Sequence, residues 1–370
     1  MSTQQSGENG SGVSSSDGQD FWQSETISLI ALSSMSGVGY WTLRKLALSG
    51  ITFQEVTQAK SKLQLTNYLK QSECKIIDKV VETWFESHEK ILQQANKLYL
   101  DLRKQEIEVI HFKEEKFPQS LREIKDPPQW LFVQGDVSVL HQPAITIVGT
   151  RKPTQDGKFL AQYVGRSLPY FQGVTVSGLA SGIDQIIHKN SLRFNIKTIA
   201  FIGTGILLNY PSGSEKLRQE IYQKGGAIVS EYLPHDSYSA ANFVHRNRLQ
   251  AGLARVVIPV EWQEKGGTAH TVRFAKENNR KIICLRQPGW DDSHTELSVA
   301  KEMGAEVFTI PGQESEFRKA VQQCLELNTK KKGVKQDEES MVERNLPLEQ
   351  GYQQLELFPE LKSLPGEEQK

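Results

Sequence analysis

Two textures of apolar spacing divide the chain. From Thr26 to about Gln105 the apolar residues recur at helical intervals, as in Ile76, Ile77, Val80, Val81, Trp84 and Phe85, then Ile91, Leu92, Ala95 and Leu98. This spacing predicts a small all-α domain over residues 21–105. Beyond a connector carrying FPQSL and DPP, short β-branched runs alternate with helical segments. The runs are Ile145 to Val148, Val174 to Val176, Thr198 to Ile202, Ala227 to Val229, Val256 to Val260 and Lys281 to Cys284. They lack polar alternation, the mark of strands covered on both faces. Residues 106–328 are therefore expected to form an α/β domain, a doubly wound, mostly parallel Rossmann-like sheet.

The ends read differently. Residues 1–20 are Ser, Gly, Gln and acid, too poor in apolar surface to offset the entropy of ordering, and are expected to be a disordered tail. Residues 329–370 open with KKKGVK, turn acidic and Gln-rich, and are expected to be a second charged, disordered tail. Leu355, Leu357 and Phe358 offer a partner-docking segment as the alternative to a solvated tail.

Bulk charge gives no direction: Lys plus Arg and Asp plus Glu are both 44, so any contact with a polyanion must come from local clustering. Cys74, Cys284 and Cys324 are widely spaced, without zinc or redox spacing, which fits a reducing cytoplasm. Neither a signal-peptide pattern nor a run of about 18 apolar residues is present, so secretion and membrane insertion are not expected.

In an open parallel sheet, ligands bind beyond the carboxyl ends of the strands. Four loops there carry glycine with Ser or Thr: Gly149-Thr150-Arg151, Ser177-Gly178 leading to Gly182, Gly203-Thr204-Gly205, and Gly266-Gly267-Thr268. Glycine admits an anion close to backbone N–H groups, and a helix N-terminus adds a favourable dipole. For any one loop, a tight strand-to-helix turn explains glycine equally well. Four coincident loops favour an anion-binding rim. A dinucleotide fingerprint and a Walker loop are both absent.

Three side-chain groups need weighing. Asp184 and His188, four apart on a helix, suit a carboxylate hydrogen-bonded to a histidine better than a metal pair, since no third ligand is evident. The segment NFVHRNR brings together His245, Arg246, Asn247 and Arg248, either a solvated helix start or a patch of guanidinium forks matched to phosphate. Tyr210, Tyr232, Phe243 and Trp262 are candidates for stacking on bases, though aromatics more often fill cores.

Taken in order, FPQSL, DPP, IVGTR (Ile147 to Arg151), VSGLASGID (Val176 to Asp184), GTG, SEY (Ser230 to Tyr232) and F-x-x-RNR (Phe243 to Arg248) resemble the DNA-processing DprA/Smf family over roughly residues 25–325. The resemblance implies a non-catalytic, cofactor-free, cytoplasmic homodimer that binds single-stranded DNA and helps load the RecA recombinase in natural transformation or recombination. It places the DNA pocket at Gly149, Thr150, Arg151, Ser177, Gly178, Gly203, Gly205, Arg246 and Arg248, and our reading of the loops adds His245, Asn247, Gly267 and Thr268. The chain departs from the family at Gly266 to Thr271 and at Ile187, and nothing beyond Lys330 has the pattern of the winged helix that ends many members. Gly37-Val38-Gly39 between apolar segments resembles a helix-hairpin-helix turn whose amides contact phosphate, or else an αα-turn that only packs.

Two rival functions remain. A nucleoside-monophosphate phosphoribohydrolase would need a carboxylate after a PGG-type loop, where this chain has Val272. A nucleotide-sensing module would bind a small phosphorylated ligand without chemistry.

Overall fold

The computed structural model describes residues 15–72, 74–290 and 294–326. Its first five helices are α1 (Ser15–Ser33), α2 (Tyr40–Leu48), α3 (Phe53–Thr57), α4 (Lys62–Gln71) and α5 (Ile77–Lys104). There follow β1 (Ile107–His111), α6 (Gln119–Arg122), β2 (Trp130–Gly135), β3 (Ala144–Val148), α7 (Gln155–Ser167), β4 (Val174–Ser177) and α8 (Ile183–Arg193). Then come β5 (Thr198–Phe201), α9 (Glu215–Gln223), β6 (Ala227–Ser230), α10 (Ala240–Leu253), β7 (Val256–Pro259) and α11 (Gly267–Glu277). The series closes with β8 (Lys281–Arg286), α12 (Thr295–Glu302), β9 (Glu306–Thr309) and α13 (Glu314–Glu326).

The strands form one sheet in the order β1-β2-β6-β5-β4-β3-β7-β8-β9. Pairing is parallel from β6 through β9, and antiparallel between β1 and β2 and between β2 and β6. The α/β, doubly wound class expected from the apolar runs is the class observed. Three strands escape that pattern: β1 and β2, inside what reads as a connector, and β9. β2 is a short apolar run that pairs backward onto β6, and its burial depends on partners distant in sequence.

The chain order reverses between β3 and β7, which lie side by side with Ile147 opposite Ile258. From β3 the chain winds one way through β4, β5 and β6; from β7 it winds the other way through β8 and β9. Loops leaving the carboxyl ends of β3 and β7 therefore diverge and leave a crevice.

The helical part and the sheet share a core. Leu29, Leu43, Phe53 and Trp84 from the helices cluster with Trp130 and Phe132 of β2, Ile228 of β6 and Tyr232. The boundary expected at residues 105 and 106 falls in the short turn between α5 and β1, but it separates textures of sequence within one compact unit. α1 begins at Ser15, six residues inside the expected N-terminal tail. Extending a helix already anchored by Leu29, Ile30 and Leu32 costs far less than nucleating one. Residues 1–14 and 327–370, with the expected C-terminal tail and the question of a winged helix, lie outside the described residues.

Candidate functional site

A cleft of about 760 Å³ opens at the point where the winding reverses. One wall is the loop after β3. Thr150 N donates to Glu261 O at 2.7 Å, and Ile183 N donates to Thr150 O at 3.2 Å, so this loop is tied to the β7 loop and to α8. Gly149 is required there, because a Cβ would stand 2.6 Å from the Ile183 side chain. The tethered backbone leaves Arg151 and Lys152 exposed on the rim.

The opposite wall is the start of α11. Its N-cap is Gly266, which supplies no side-chain cap, and a Cβ on Gly267 would meet nothing within 4 Å. First-turn amides without a side-chain cap, beside open space, form an anion-binding end, with Thr268 adding a hydroxyl. Asn247 Nδ2 donates to Gly267 O at 3.0 Å and fixes α11 to α10.

α10 supplies the third side. Ser239 caps it by accepting from Asn242 N, and Ala240, Phe243, Val244, Asn247 and Gln250 fall on one helical face along the cleft. Arg151 and Arg246 flank the Phe243 ring at 5.2 and 6.0 Å, and Tyr210 and Tyr238 pack beside it with centroids 4.6 Å apart. Tyr238 is 58% exposed. Among the ionisable residues lining the cleft, Arg151, Lys152 and Arg246 face one carboxylate, Asp184.

The floor is buried. Arg246 donates through Nη1 to Gly178 O at 3.0 Å and to Phe201 O. Burial pushes its pKa down to about 10, with Asp184 opposing the shift and the Arg151 charge adding to it. Asp184 accepts from Gly178 N at 3.0 Å. Burial lifts its carboxyl to about 6 against the opposing pull of Arg246. The expected Asp184–His188 hydrogen bond is not formed. His188 Nδ1 instead pairs with Thr198 Oγ1 at 2.8 Å, because α8 packs over β5 and turns the imidazole into the sheet. Burial, assisted by Arg246, lowers that imidazole to about 3, so it stays neutral at ordinary pH. Among the described residues no group of three or more His, Cys, Asp or Glu side chains is arranged to hold a metal ion.

Several expected site residues are placed elsewhere. Arg248, expected to clamp phosphate, is 2% exposed and meets Glu231 through two parallel contacts of 2.5 and 2.6 Å. Its Nε lies 2.8 Å from Asp126 Oδ2. Two residues beyond Arg246 is about 200° around a helix, so Arg248 faces the helical part instead of the cleft. His245 shares that side, 3.1 Å from Asp126 and 3.3 Å from Glu231, with Trp41 at 5.2 Å. Tyr40 of α2 donates to Glu231 Oε2 at 2.7 Å, and Arg44 pairs with Asp126. Burial would raise the Glu231 carboxyl, but Arg248 and the hydrogen bonds from Arg248 and His245 hold it well below its usual range.

Ser177, Gly178, Gly203 and Gly205 lie beneath the lining and are buried. The three glycines are required by close approach: a Cβ on Gly178 would stand 2.5 Å from Arg246 Nη1, on Gly203 2.5 Å from the Phe243 ring, and on Gly205 2.1 Å from Leu233 O. Their uniformity in sequence reflects packing under the rim. Gly37, at φ +87°, sits against Ile76, and Gly39 caps α2, which docks on the Glu231 network. Tyr232 is buried with its hydroxyl donating to Asn242 O, and Trp262 lines the cleft but is itself buried. Gly149, Thr150, Arg151, Arg246, Asn247, Gly267 and Thr268 do converge on the cleft. Sequence reasoning passed over Lys152, Tyr238 and Gln250 on the lining and Glu231 behind it. The one available signal was Tyr238, an aromatic within the polar stretch His235 to Ser239.

Residues 108–316 match the model of the DNA recombination-mediator protein A family. Protein Smf of Synechocystis is 36% identical over 202 residues, 53% of this chain and 50% of that protein. DNA processing protein DprA of Bacillus subtilis is 35% identical over 184 residues, 50% of this chain and 62% of that one. The chain thus spans about half the length of the curated relatives it matches. Among solved structures, DprA of Streptococcus pneumoniae aligns over 81% of this chain and 97% of its own, with a TM-score of 0.59 at 25% identity. DNA processing protein A of Helicobacter pylori, described by its single-stranded DNA binding mode, covers 59% of this chain and 96% of its own at 29% identity and a TM-score of 0.51.

Proposed function

Since the chain belongs to the DNA recombination-mediator protein A family, we propose that its cleft binds single-stranded DNA and that the protein, as a cytoplasmic homodimer without catalytic activity or cofactor, helps load the RecA recombinase onto the strand. The observation that carries this reading is the pair of guanidiniums of Arg151 and Arg246 around Phe243, beside the tilted ring pair of Tyr210 and Tyr238 and facing the end of α11 that has no side-chain cap. Cations and amides address phosphates, which are alike under every base, and aromatic faces accept any base. A recessed site of this kind admits a flexible single chain and holds off a stiff duplex. The Helicobacter pylori relative, described by its single-stranded DNA binding mode, supports the choice of ligand.

A non-catalytic role is supported by Asp184, the carboxylate that lines the cleft among the described residues, being tied to a backbone amide on the floor. A cytoplasmic location is in keeping with free, spaced cysteines and with the absence, among described residues, of a helix long and apolar enough to cross a membrane. The test uses fluorescence anisotropy with matched single- and double-stranded oligonucleotides at physiological salt, light scattering, and RecA assembly on DNA coated by another binding protein. Preference for the single strand, a dimer and faster RecA assembly are expected. Equal binding of both forms of DNA overturns the ligand, and unchanged RecA assembly overturns the role.

A further inference from the structure

Two donors on the cleft floor have no partner within the protein. Arg246 Nε and Gln250 Nε2 are buried and make no hydrogen bond. Their residues are 4% and 1% exposed, yet both line the cleft. Gln250 Nε2, Arg246 Nη1 and Asp184 Oδ2 all fall within 2.7 Å of the point where a Cβ on Gly178 would stand, so these groups form one cluster. Native proteins seldom leave buried donors unsatisfied, and such atoms at the bottom of a cleft mark the place of a ligand acceptor.

On the reading of the cleft as the DNA site, strand phosphates belong with Arg151, Lys152 and the α11 amides on its walls. The floor donors call for a group that reaches deeper. A cleft of about 760 Å³ lies in the size range of pockets that enclose a small molecule. It presents an anion end at α11, flat aromatic faces at Tyr210 and Tyr238, and donors at the bottom. One nucleotide carries the three complements: a phosphate, a base face and acceptor atoms on the base edge. Every base has at least one such acceptor, so this floor does not select strongly among bases.

We propose that the cleft also binds a free nucleoside 5′-monophosphate, which competes with the DNA strand. This inference rests on the reading of the cleft as the DNA site. Strand binding by the protein then responds to the surrounding nucleotide pool, because one site serves both ligands.

The full chain is titrated with thymidine 5′-monophosphate, thymidine and inorganic phosphate by calorimetry, and each is used to displace a fluorescent oligothymidine. One monophosphate per chain is expected, with displacement of the oligonucleotide, and at least tenfold weaker binding of thymidine and of phosphate. Arg151→Ala should weaken monophosphate and phosphate alike. Gln250→Leu should weaken monophosphate and thymidine but spare phosphate; if it fails to fold, exposed Tyr238→Ala should show the same division. Phosphate binding as tightly as the monophosphate, no monophosphate binding, or binding without displacement each overturns the proposal. Monophosphate binding without oligonucleotide binding would overturn the DNA reading and the competition that rests on it while leaving the mononucleotide pocket; oligonucleotide binding without monophosphate binding would overturn this proposal alone.

Discussion

The two faces of α10 carry residues of the same kind in opposite roles. On the cleft face Arg246 retains an unpartnered Nε and stands with Arg151 around Phe243. On the rear face Arg248 is fully engaged by Glu231 and Asp126, with His245, Tyr40 and Arg44 closing the network. The first cluster has an excess of cations and unspent donors; the second is balanced and joins the helical part to the sheet. Positive charge serves binding where it is left unpaired, and serves architecture where a buried carboxylate meets it.

The largest effect that separates the faces should come from Arg248→Ala, which strands the buried Glu231 charge. A loss of about 3 to 5 kcal/mol in stability is expected by denaturant titration, while DNA affinity of the folded protein changes little. Equal loss of affinity in the folded state would erase the distinction.

A smaller effect distinguishes the floor from the rear network by pH. The Asp184 carboxyl stands at about 6, above its unfolded value of 3.8, so the native state holds the extra proton between them. The stability it contributes is full below about pH 4 and is lost as pH rises through about 6. Glu231, held below its unfolded 4.5, acts with the opposite sign: its contribution is present above that value and is lost as pH falls through its lowered folded pKa. Asp184→Asn should remove a decline on the order of 2 kcal/mol between pH 4 and pH 7. An unchanged pH profile for the variant would show that the buried carboxyl does not titrate in this window.

The smallest effects belong to the exposed rim. Tyr238→Ala should weaken single-strand binding by about 1 kcal/mol, the low end for one stacked base. Arg151→Ala should lower the salt slope by about 0.7, the single-strand value for one phosphate contact. Thermal unfolding of both should match the parent. Salt slopes that do not move would transfer the anion site away from this rim.

The sequence by itself determined the α/β class, because short β-branched runs without polar alternation, separated by helical segments, mark strands covered on both faces. It also determined which loops matter, since strand ends with glycine and hydroxyls stand out along the chain. It left undecided which glycines admit a ligand and which admit a neighbour: Gly267 faces open space and Gly178 faces Arg246, although both read alike as Gly beside Ser or Thr. Burial of β2, the shared core of helices and sheet, and the split between Arg246 and Arg248 were decided by tertiary structure alone. Each depends on a partner far away in sequence, β6 at Ile228, α2 at Tyr40 and Glu231 at the end of β6, and local pattern carries no record of which distant carboxylate will meet a given arginine.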